Sequence, residues 1–532
     1  MNQKKSKSYW EFRSAADVAI IDKIVLSGLF VAGVFSILIL AEWWFQEKHI
    51  VNFPLFVVLS TFFWYGAFRV ILIWINYLNI SKPIVPKPKE DLSVAIFTTS
   101  APGEPLSMYE KTFEALRNVS YPHQTYLLDS TQDLAFKDLA EQYDVKYLDL
   151  ANLPGAKAGK VNKAIELTDE EFILILDPDH IAFPNFLNQT LGFFENEEVG
   201  FVQVSQGYYN QSASFVAAGA AEQTYGFYGP TQMGLHGLGG AVAIGANCTF
   251  RRKAFESIGG HAVALAEDLV TSMRIHAAGW KSIYNPVIVS RGIVPEDFGS
   301  FAKQQLKWSR GVFEVLFVDY PKLFTKFTFW QKFSYGAISF YYFTGLLSFF
   351  FILIPPLFFI TGVIPANMVF SDFIVKGGPI VIISILIYAY AQKFMVHPET
   401  ERGFHWRAMI LKYALWPIYF LSFILSLFGY KIPYIPTEKT ASVGSITPFA
   451  RPLIWYNIFF LLTTVFVIIK RSFFLPESEL LFTSARTWGM IGFAFLAFIM
   501  SSLGIMAALE AVKLKQKIPW SNVDVGAIKV IE

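Results

Sequence analysis

The sequence predicts a polytopic α-helical membrane protein with an α/β domain inserted between its membrane-spanning segments. Apolar residues make up 54% of the 532 residues and charged residues only 16%, a balance unlike that of an ordinary soluble protein. Apolar runs long enough to cross a bilayer lie towards both ends of the chain, and ~250 residues of ordinary composition separate them. These two observations fix the fold class.

Six spans are predicted from the apolar runs. They fall at about residues 24–44, 54–79, 334–363, 377–395, 451–471 and 486–511. The stretch 406–430 is also apolar, but Pro417 interrupts it, and Arg407 and Lys412 stand near its start. It is interpreted as an interfacial helix, with a true span as the alternative. No signal-peptide cleavage pattern precedes the first span, so that span is expected to be retained.

Basic residues predict the orientation of the chain. The protein is expected in the plasma membrane. Four basic residues precede the first span and are expected to stay in the cytoplasm: Lys4, Lys5, Lys7 and Arg13. Two spans return the chain to that side. The expected segments are two spans in 1–79, a cytoplasmic domain ending in interfacial helices in 80–333, two spans in 334–395, a cytoplasmic interfacial helix and loop in 396–450, and two spans with a cytoplasmic C-terminus in 451–532.

Net charge and cysteine content narrow the possible partners and sites of the chain. The net charge of +2 gives no reason to expect nucleic acid as a partner. Cys248 is the single cysteine, so an intrachain disulfide and a cysteine-rich metal cluster are both excluded.

Strand and helix patterns alternate through the inserted block. Residues 92–97 and 124–128 are predicted strands, with a helix over 107–117 between them, and the apolar run 172–176 is a predicted buried strand. This alternation is typical of a mostly parallel sheet, and such sheets bind ligands at the carboxyl ends of their strands.

Three aspartates lie where predicted strands end: Asp129, and the pair in Asp177-Pro178-Asp179. Hard divalent cations such as Mg²⁺ or Mn²⁺ prefer oxygen ligands and commonly bridge carboxylates to substrate phosphates. The alternative for the pair alone is a turn capped by two solvated aspartates. Because Asp129 falls at a corresponding strand end, the sequence favours a shared binding site.

Two further pairs of charged residues are candidates for the same site. Lys157 and Lys160, in a predicted loop, suit phosphate oxygens, and the alternative is a solvated basic loop. Glu267 and Asp268 open a predicted helix, where carboxylates ordinarily cap the helix. The alternative for Glu267 and Asp268 is a general base that takes the proton of an attacking hydroxyl.

One face of a predicted amphipathic helix carries Gln304, Lys307 and Trp308 at positions i, i+3 and i+4. The indole offers a platform for the apolar face of a sugar ring. The alternative is a tryptophan that anchors the helix at the membrane interface beside a lysine.

Taken in order, these residues resemble the processive family 2 glycosyltransferases, and most closely the catalytic subunits of bacterial cellulose synthases. The resemblance covers about residues 92–445. The family's first Asp, DxD, TED and QxxRW motifs correspond to Asp129, Asp177-Pro178-Asp179, Ala266-Glu267-Asp268 and Gln304-Gln305-Leu306-Lys307-Trp308. Tyr434-Ile435-Pro436-Thr437-Glu438-Lys439 is similar to the family's gating loop. Two departures are Ala266 for the threonine and Lys307 for the arginine.

The resemblance implies a GT-A-like domain and a role for each matched residue. Mg²⁺ or Mn²⁺ would be held by Asp179 with Asp177. Asp268, with Glu267 beside it, would be catalytic, and Gln304 and Trp308 would bind the acceptor. The nucleotide-sugar would be bound by Asp129, Lys157, Asp177, His180, Lys307, Thr437 and Lys439.

The implied function is processive, inverting polymerisation of a UDP-sugar, with secretion of the growing polysaccharide through the protein's own transmembrane channel. UDP-glucose, giving a β-glucan capsule or exopolysaccharide, is favoured by the nearest resemblance. The alternatives are a hyaluronan-like or chitin-like polymer synthase and a non-processive enzyme that glycosylates a lipid phosphate. A transporter with a degenerate nucleotide-binding domain and a receptor for UDP-sugar are further alternatives, and the retained aspartates argue against the transporter.

Overall fold

A computed structural model describes residues 10–430, 432, 448–473, 484–513, 523 and 525–528 of the chain. Its strands are β1 (Arg13–Ser14), β2 (Val94–Thr99), β3 (Gln124–Asp129), β4 (Lys146–Asp149), β5 (Phe172–Ile175), β6 (Ile181–Ala182), β7 (Val199–Tyr208), β8 (Cys248–Arg251) and β9 (Lys281–Gly292). These strands form one sheet within a domain that is inserted between helices.

The first ten helices belong to the two N-terminal apolar segments and the α/β domain. They are α1 (Ile20–Trp44), α2 (Phe53–Leu78), α3 (Leu106–Arg117), α4 (Leu134–Gln142), α5 (Ala156–Leu167), α6 (Phe215–Gly226), α7 (Gln232–Gly237), α8 (Arg252–Ser257), α9 (Glu267–Ala277) and α10 (Phe298–Glu314). The remaining described helices are α11 (Tyr320–Leu323), α12 (Phe329–Ser339), α13 (Thr344–Thr361), α14 (Phe370–Ala391), α15 (Pro398–Glu401), α16 (Trp406–Ala414), α17 (Trp416–Leu427), α18 (Arg451–Phe473) and α19 (Ser484–Lys513).

Six helical segments of the described residues are long and apolar enough to cross a membrane, as the fold class predicted. They are Ile20–Trp44, Phe53–Leu78, Phe329–Thr361, Ser371–Phe394, Pro448–Lys470 and Trp488–Glu510. Their outward surfaces carry many exposed apolar side chains, such as Val31, Phe35 and Ile385. A lipid environment is the solvent that such surfaces require.

The predicted interfacial helix is bent. Helices α16 and α17 meet at an angle of 44°, and Pro417 stands in the first turn of α17. The two helices have 9 and 12 residues, so each alone is too short to cross a bilayer core, whereas together they are long and apolar enough for one broken span. Helix α16 packs against α6 and α19, and α17 packs against α10 and α13. The bent pair therefore joins the α/β domain to the membrane-spanning helices.

The sheet order is β1-β9-β7-β8-β5-β2-β3-β4, and β6 pairs with β9. The neighbours β5, β2, β3 and β4 run parallel, so the prediction of a mostly parallel sheet holds for this half. In the other half β7 and β9 also pair in parallel, but β8 runs antiparallel to both β5 and β7 and β1 runs antiparallel to β9, so the whole sheet is mixed. Local alternation of strands and helices carries no information on the direction in which the later strands enter the sheet.

Apolar side chains cover both faces of the sheet. In β2, Val94 and Ile96 belong to one buried cluster, while Ala95 and Phe97 belong to another. All four are no more than 2% exposed. Successive side chains of a strand point to opposite faces, so this alternation shows that the central strand is buried on both sides.

Residues near both ends of the sequence add to the α/β domain. Arg13 and Ser14 of β1 pair antiparallel with Ile288 and Val287 of β9. At the other end, Val523 and Val525 are buried in the apolar cluster that includes residues of α3. The segment 525–527 directly contacts α3.

Candidate active site

The predicted site residues in the described part of the chain form two groups. We call the first the sheet wall, because its members lie at or just beyond the carboxyl ends of parallel strands or, for Lys157, in the first turn of α5. It comprises Asp129, Lys157, Asp177, Asp179 and His180. We call the second the helix wall, because α9 and α10 carry it. It comprises Glu267, Asp268, Gln304, Lys307 and Trp308. Thr437 and Lys439 lie outside the described residues.

Asp129, the last residue of β3, is fully buried and densely hydrogen-bonded. Ser100 Oγ donates to its Oδ1, Thr131 Oγ1 donates to Oδ1 over 2.9 Å, and Tyr147 OH donates to Oδ2 over 2.8 Å. Burial raises the pKa of Asp129, but the hydrogen bonds from Ser100, Tyr147 and Thr131 outweigh it and leave the pKa lowered. This carboxylate is therefore held in its charged form.

Asp177, Asp179 and His180 converge in the turn that follows β5. One ligand atom from each of the three lies within 4.8 Å of the others. Asp179 is buried, and its Oδ2 accepts a hydrogen bond of 3.2 Å from Ile293 N. Asp177 is more accessible, with a third of its side chain exposed. The strand end thus presents one fixed and one accessible carboxylate.

The donor set of this turn fits a divalent cation. Both ring nitrogens of the buried His180 are without a hydrogen-bond partner among the described residues, and a buried imidazole in that state commonly serves a ligand or a water. The two carboxylates suit either Mg²⁺ or Mn²⁺. His180, which was predicted to bind the nucleotide-sugar, lies with the predicted metal ligands.

Lys157 lies in the first turn of α5, so the prediction of a loop at 156–160 is wrong. Gly155 precedes the helix with a φ of 93°, a left-handed conformation that glycine adopts without strain, and this turn starts the helix. Lys157 Nζ donates to Asp177 Oδ1 and, over 2.6 Å, to Gly245 O. The amino group therefore links the metal-binding turn to the loop before β8.

Gly245 also lies against Asp268 of the helix wall. Its φ is +82°, and a Cβ built on it would lie 3.3 Å from Asp268 Oδ2. Asp268 Oδ1 accepts a hydrogen bond of 2.8 Å from Leu269 N in the first turn of α9. The two walls therefore approach each other at Gly245, with Lys157 on one side and Asp268 on the other.

Glu267 and Asp268 are half-buried at the N-terminus of α9. Burial raises the pKa of Glu267 to about 7, and the neighbouring charge of Asp268 acts in the same direction. Burial likewise raises the pKa of Asp268, although the hydrogen bond from Leu269 and the charge of Lys307 oppose it. Of the two possibilities left open by the sequence, a cap or a base, a raised pKa is the property that a proton acceptor needs.

Lys307 is the cation of the helix wall. Burial lowers its pKa, and the negative charges of Glu267, Asp177 and Asp268 oppose that effect. Its charge therefore lies within electrostatic range of carboxylates from both walls. An ammonium at this position keeps the charge of the family's arginine but lacks the planar fork of five donors.

Helix α10 presents one face to the site and the other to the membrane-spanning part. Gln304 and Lys307 are half-buried and Trp308 is 37% exposed. On the opposite side, Gln305 Oε1 accepts a hydrogen bond of 2.8 Å from Tyr419 OH, and Ser309 bonds Ser422 over 2.6 Å. The helix that carries the QxxRW-like motif is thus fixed to α17 by two buried side-chain hydrogen bonds.

Sequence reasoning missed two residues that complete the sheet wall, and it predicted Lys160 without its contacts. Ser100 and Tyr147 donate to Asp129. Lys160 Nζ donates to Ser100 O over 2.6 Å and to Ser130 Oγ over 3.1 Å, and burial lowers the pKa of this lysine. Lys160 thereby joins the ends of β2 and β3. A signal was available for Tyr147 alone, because it lies on the parallel strand adjacent to β3.

The arrangement can bind a negatively charged, metal-bound group and accept a proton beside it. The sheet wall holds ionised oxygens around the cation site, with Lys157 as an additional positive charge. The helix wall combines carboxylates with raised pKa values on α9 with an exposed indole on α10. Transfer of a group from an anionic carrier to a hydroxyl requires these two capacities side by side.

Comparison with known proteins gives one family match. The family described as Glycosyl transferase family group 2 matches residues 172–507. This range includes the DxD-like turn, both carboxylates of α9 and the whole of α10.

Curated relatives have low sequence identity to the chain. Cellulose synthase 1 catalytic subunit [UDP-forming] of Komagataeibacter xylinus is 28% identical over 321 residues, which are 59% of this chain and 41% of that protein. The cellulose synthase catalytic subunit [UDP-forming] of Pseudomonas fluorescens (strain SBW25) is 25% identical over 365 residues, 64% of this chain and 47% of the relative. The chain thus spans less than half the length of these relatives.

Among solved structures, the mannosyltransferase PcManGT from Pyrobaculum calidifontis, in complex with GDP-Man and Mn²⁺, is similar with a TM-score of 0.49. It is 14% identical, and the match covers 71% of this chain and 99% of that one.

Proposed function

The chain belongs to glycosyl transferase family group 2, and from that premise we propose that it is a processive, inverting glycosyltransferase that polymerises a UDP-sugar. The observation that supports this most is the approach of the two walls at Gly245, which joins a cation site to a proton-accepting carboxylate. The cellulose synthase relatives make UDP-glucose the proposed donor and a β-glucan the proposed product.

Asp268 is the proposed base. Sugar hydroxyls are far weaker acids than a carboxylic acid, so Asp268 accepts the proton late, while the hydroxyl oxygen is already attacking the anomeric carbon. Its raised pKa makes it a stronger acceptor at that moment than an exposed aspartate. Attack from the helix wall, opposite the departing diphosphate on the sheet wall, inverts the anomeric centre. Glu267, protonated in part near neutral pH, keeps the local negative charge low.

The sheet wall is the proposed donor site. A divalent cation held by Asp177, Asp179 and His180 would neutralise charge on the UDP leaving group. Lys157, which already contacts Asp177, adds a second positive charge at the same place. Asp129 faces the uridine part in this proposal, kept ionised by Ser100 and Tyr147. Lys307 compensates the carboxylates across the cleft.

The acceptor is proposed to rest on Trp308, with Gln304 beside it. An indole that is 37% exposed offers its face to a sugar ring. Because the same helix is bonded to α17 through Gln305 and Ser309, the site of transfer is fixed relative to the membrane-spanning helices. We infer that the product leaves through these helices, with the α/β domain in the cytoplasm and the protein in the plasma membrane.

The test is transfer by the purified full chain. Protein in detergent with Mg²⁺ or Mn²⁺ receives radiolabelled UDP-glucose, UDP-N-acetylglucosamine, UDP-glucuronate or UDP-galactose, and both UDP release and high-molecular-weight product are recorded. Polymer from UDP-glucose alone, cut by linkage-specific glucanases, is the expected result. Polymer from another donor means a hyaluronan-like or chitin-like synthase. UDP release without polymer contradicts processivity and means the non-processive enzyme.

A further inference from the structure

A second cavity lies away from the candidate active site, at the junction of the α/β domain and the membrane-spanning helices. Its volume is about 720 Å³, within the usual range for small-molecule sites. The wall is built from the start of α6, the segment between α15 and α16, and the end of α19. The residues that matter are Phe215, Glu222, Arg402, Trp406, Arg407 and Glu510.

The cavity lies at the membrane level where spans end on the side of the α/β domain. Glu510 is the last residue of the apolar span Trp488–Glu510. Arg402 donates to the backbone carbonyls of Gln392 and Lys393, over 3.2 and 3.3 Å, at the end of the span Ser371–Phe394. In a bilayer, this is the depth of the lipid head groups.

Aromatic side chains form the rim of the cavity. Phe404 is 77% exposed and Trp406 is 42% exposed, and the Trp406 ring lies 5.3 Å from that of Phe215 in an edge-to-face arrangement. Exposed aromatic rings next to arginines are characteristic of the membrane interface. They provide an apolar surface for the glycerol backbone and the first methylenes of a lipid.

The positive and negative side chains that line the cavity are equal in number. Arg402 and Arg407 are opposed by Glu222 and Glu510. Arg407 bonds Glu222 Oε1 over 2.8 Å, and the guanidinium also lies over the Trp406 ring at 5.0 Å, with 39% of its side chain exposed. A cavity without net charge gives no general attraction for an anionic head group, but it suits a head group that carries both signs.

The carboxylate of Glu510 favours a primary ammonium over a trimethylammonium group in a bound head group. Its Oε2 accepts a hydrogen bond of 3.1 Å from Phe215 N, which leaves Oε1 without a partner among the described residues. A primary ammonium donates hydrogen bonds to such an oxygen, whereas a trimethylammonium has no N–H to donate. A phosphate in the same head group meets the exposed guanidinium of Arg407, which binds phosphate well.

We propose that this cavity binds a membrane phospholipid with a phosphoethanolamine head group, its ammonium at Glu510, its phosphate at Arg407 and its glycerol and acyl start on Trp406. The site is separate from the one assigned to transfer, and the proposal does not depend on the sugar or on the polymer.

The test measures thermal unfolding of the delipidated full chain in detergent with added short-chain lipids. Dihexanoyl phosphatidylethanolamine at saturation is expected to raise the unfolding midpoint by about 5 °C. The phosphatidylcholine and phosphatidylglycerol counterparts are expected to give less than half of that shift. Phosphoethanolamine without acyl chains, and inorganic phosphate, are expected to give almost none, because both lack the apolar contact with the rim.

Variants locate the site. Glu510→Gln and Trp406→Leu are each expected to reduce the phosphatidylethanolamine shift at least by half. Trp330→Leu is the matched control, because Trp330 is also 42% exposed and stands at the start of α12, and it is expected to keep the full shift. Equal shifts for the three lipids, equal loss in both tryptophan variants, or a full shift from free phosphoethanolamine would overturn the proposal. If Glu510→Gln does not fold, Trp406→Leu against Trp330→Leu decides alone.

Discussion

The two walls of the candidate active site hold their carboxylates in different ways. On the sheet wall, Asp129 is buried but accepts hydrogen bonds from Ser100, Thr131 and Tyr147, and its pKa is lowered. On the helix wall, fewer hydrogen bonds oppose the pKa-raising effect of burial, and the pKa of Glu267 rises to about 7. Carboxylates at one cleft therefore have pKa values shifted in opposite directions.

The difference follows from the backbone that each wall offers. Parallel strand ends bring several side-chain and backbone donors to one point, and these donors stabilise negative charge. The first turn of α9 offers Asp268 the N–H of Leu269, while the surrounding apolar packing penalises charge. A carboxylate that is held ionised suits a fixed hydrogen-bond acceptor, and a carboxylate that gains from protonation suits a base.

Asp268→Asn should have the largest effect, because it removes the proton acceptor without changing the shape of the helix wall. We expect transfer to fall by ~10²–10⁴-fold. Initial rates of UDP release measure the loss. The affinity for UDP in the presence of the metal, measured by equilibrium titration, should stay near the wild-type value. Unchanged turnover in this variant would remove the functional distinction between the walls.

Asp179→Asn should come next, because it changes a buried proposed ligand of the sheet wall. Loss of groups that merely support a ligand costs ~10–100-fold in metal affinity, so we expect at least that weakening for Mn²⁺. Electron paramagnetic resonance of free Mn²⁺ gives the affinity directly, without turnover. Asp138→Asn, on the exposed side of α4, is the matched control. Equal Mn²⁺ affinity in the two variants would contradict the cation site.

Tyr147→Phe should have a smaller effect, on stability. It removes one donor to the Asp129 carboxylate, and a hydrogen bond to a charged group contributes ~1.5–3 kcal/mol. Because the pKa of Asp129 is lowered in the folded protein, this stabilisation is present above the unfolded value of 3.8 and is lost as pH falls through the folded value.

Thermal unfolding at pH 7 and below pH 4 tests this expectation. The deficit of Tyr147→Phe relative to wild type should shrink at the lower pH. Tyr143→Phe is the control, since the Tyr143 hydroxyl has no hydrogen-bond partner among the described residues. A deficit independent of pH would mean that packing of the ring, rather than the charge of Asp129, is responsible.

Glu267→Gln should give the smallest effect, and of opposite sign. A carboxyl group whose pKa is about 7 when folded and 4.5 otherwise binds more protons in the folded state. Its contribution to stability is full at low pH and is lost as pH rises from 4.5 through 7. Glu267→Gln should therefore unfold a few degrees higher than wild type at pH 8 and equally at pH 4.

Apparent unfolding midpoints at the two pH values provide the measurement, with the exposed Glu256→Gln as control. If Glu267→Gln and Glu256→Gln behave alike at pH 8, the helix wall does not raise carboxylate pKa values, and the contrast with the sheet wall is lost.

Local sequence patterns were sufficient for the elements that carry the site. Periodicity predicted strands 124–128 and 172–176, and β3 and β5 lie within a residue of those bounds. The aspartates after them could be recognised because strand ends are followed by polar residues at a common edge. Helices α9 and α10 were likewise visible from their patterns.

Contacts between distant residues were not predictable in this way. The Lys157 pairing with Asp177 depends on how α5 begins, which is set by a left-handed Gly155. The donors to Asp129 lie up to 29 residues away from it in sequence, and the His180 ring lies against Gly292 of β9. The antiparallel direction of β8 depends on tertiary contacts, which the alternation of hydrophobic residues does not encode.

The burial of Val523 and Val525 against the cluster of α3 has a consequence for biosynthesis. A ribosome makes α3 and the whole sheet long before it makes these two valines, and four further apolar spans must enter the membrane in between. The apolar cluster around α3 therefore lacks these two side chains throughout translation of the second half of the chain. The cluster around α3 is therefore completed only after the last span has been synthesised.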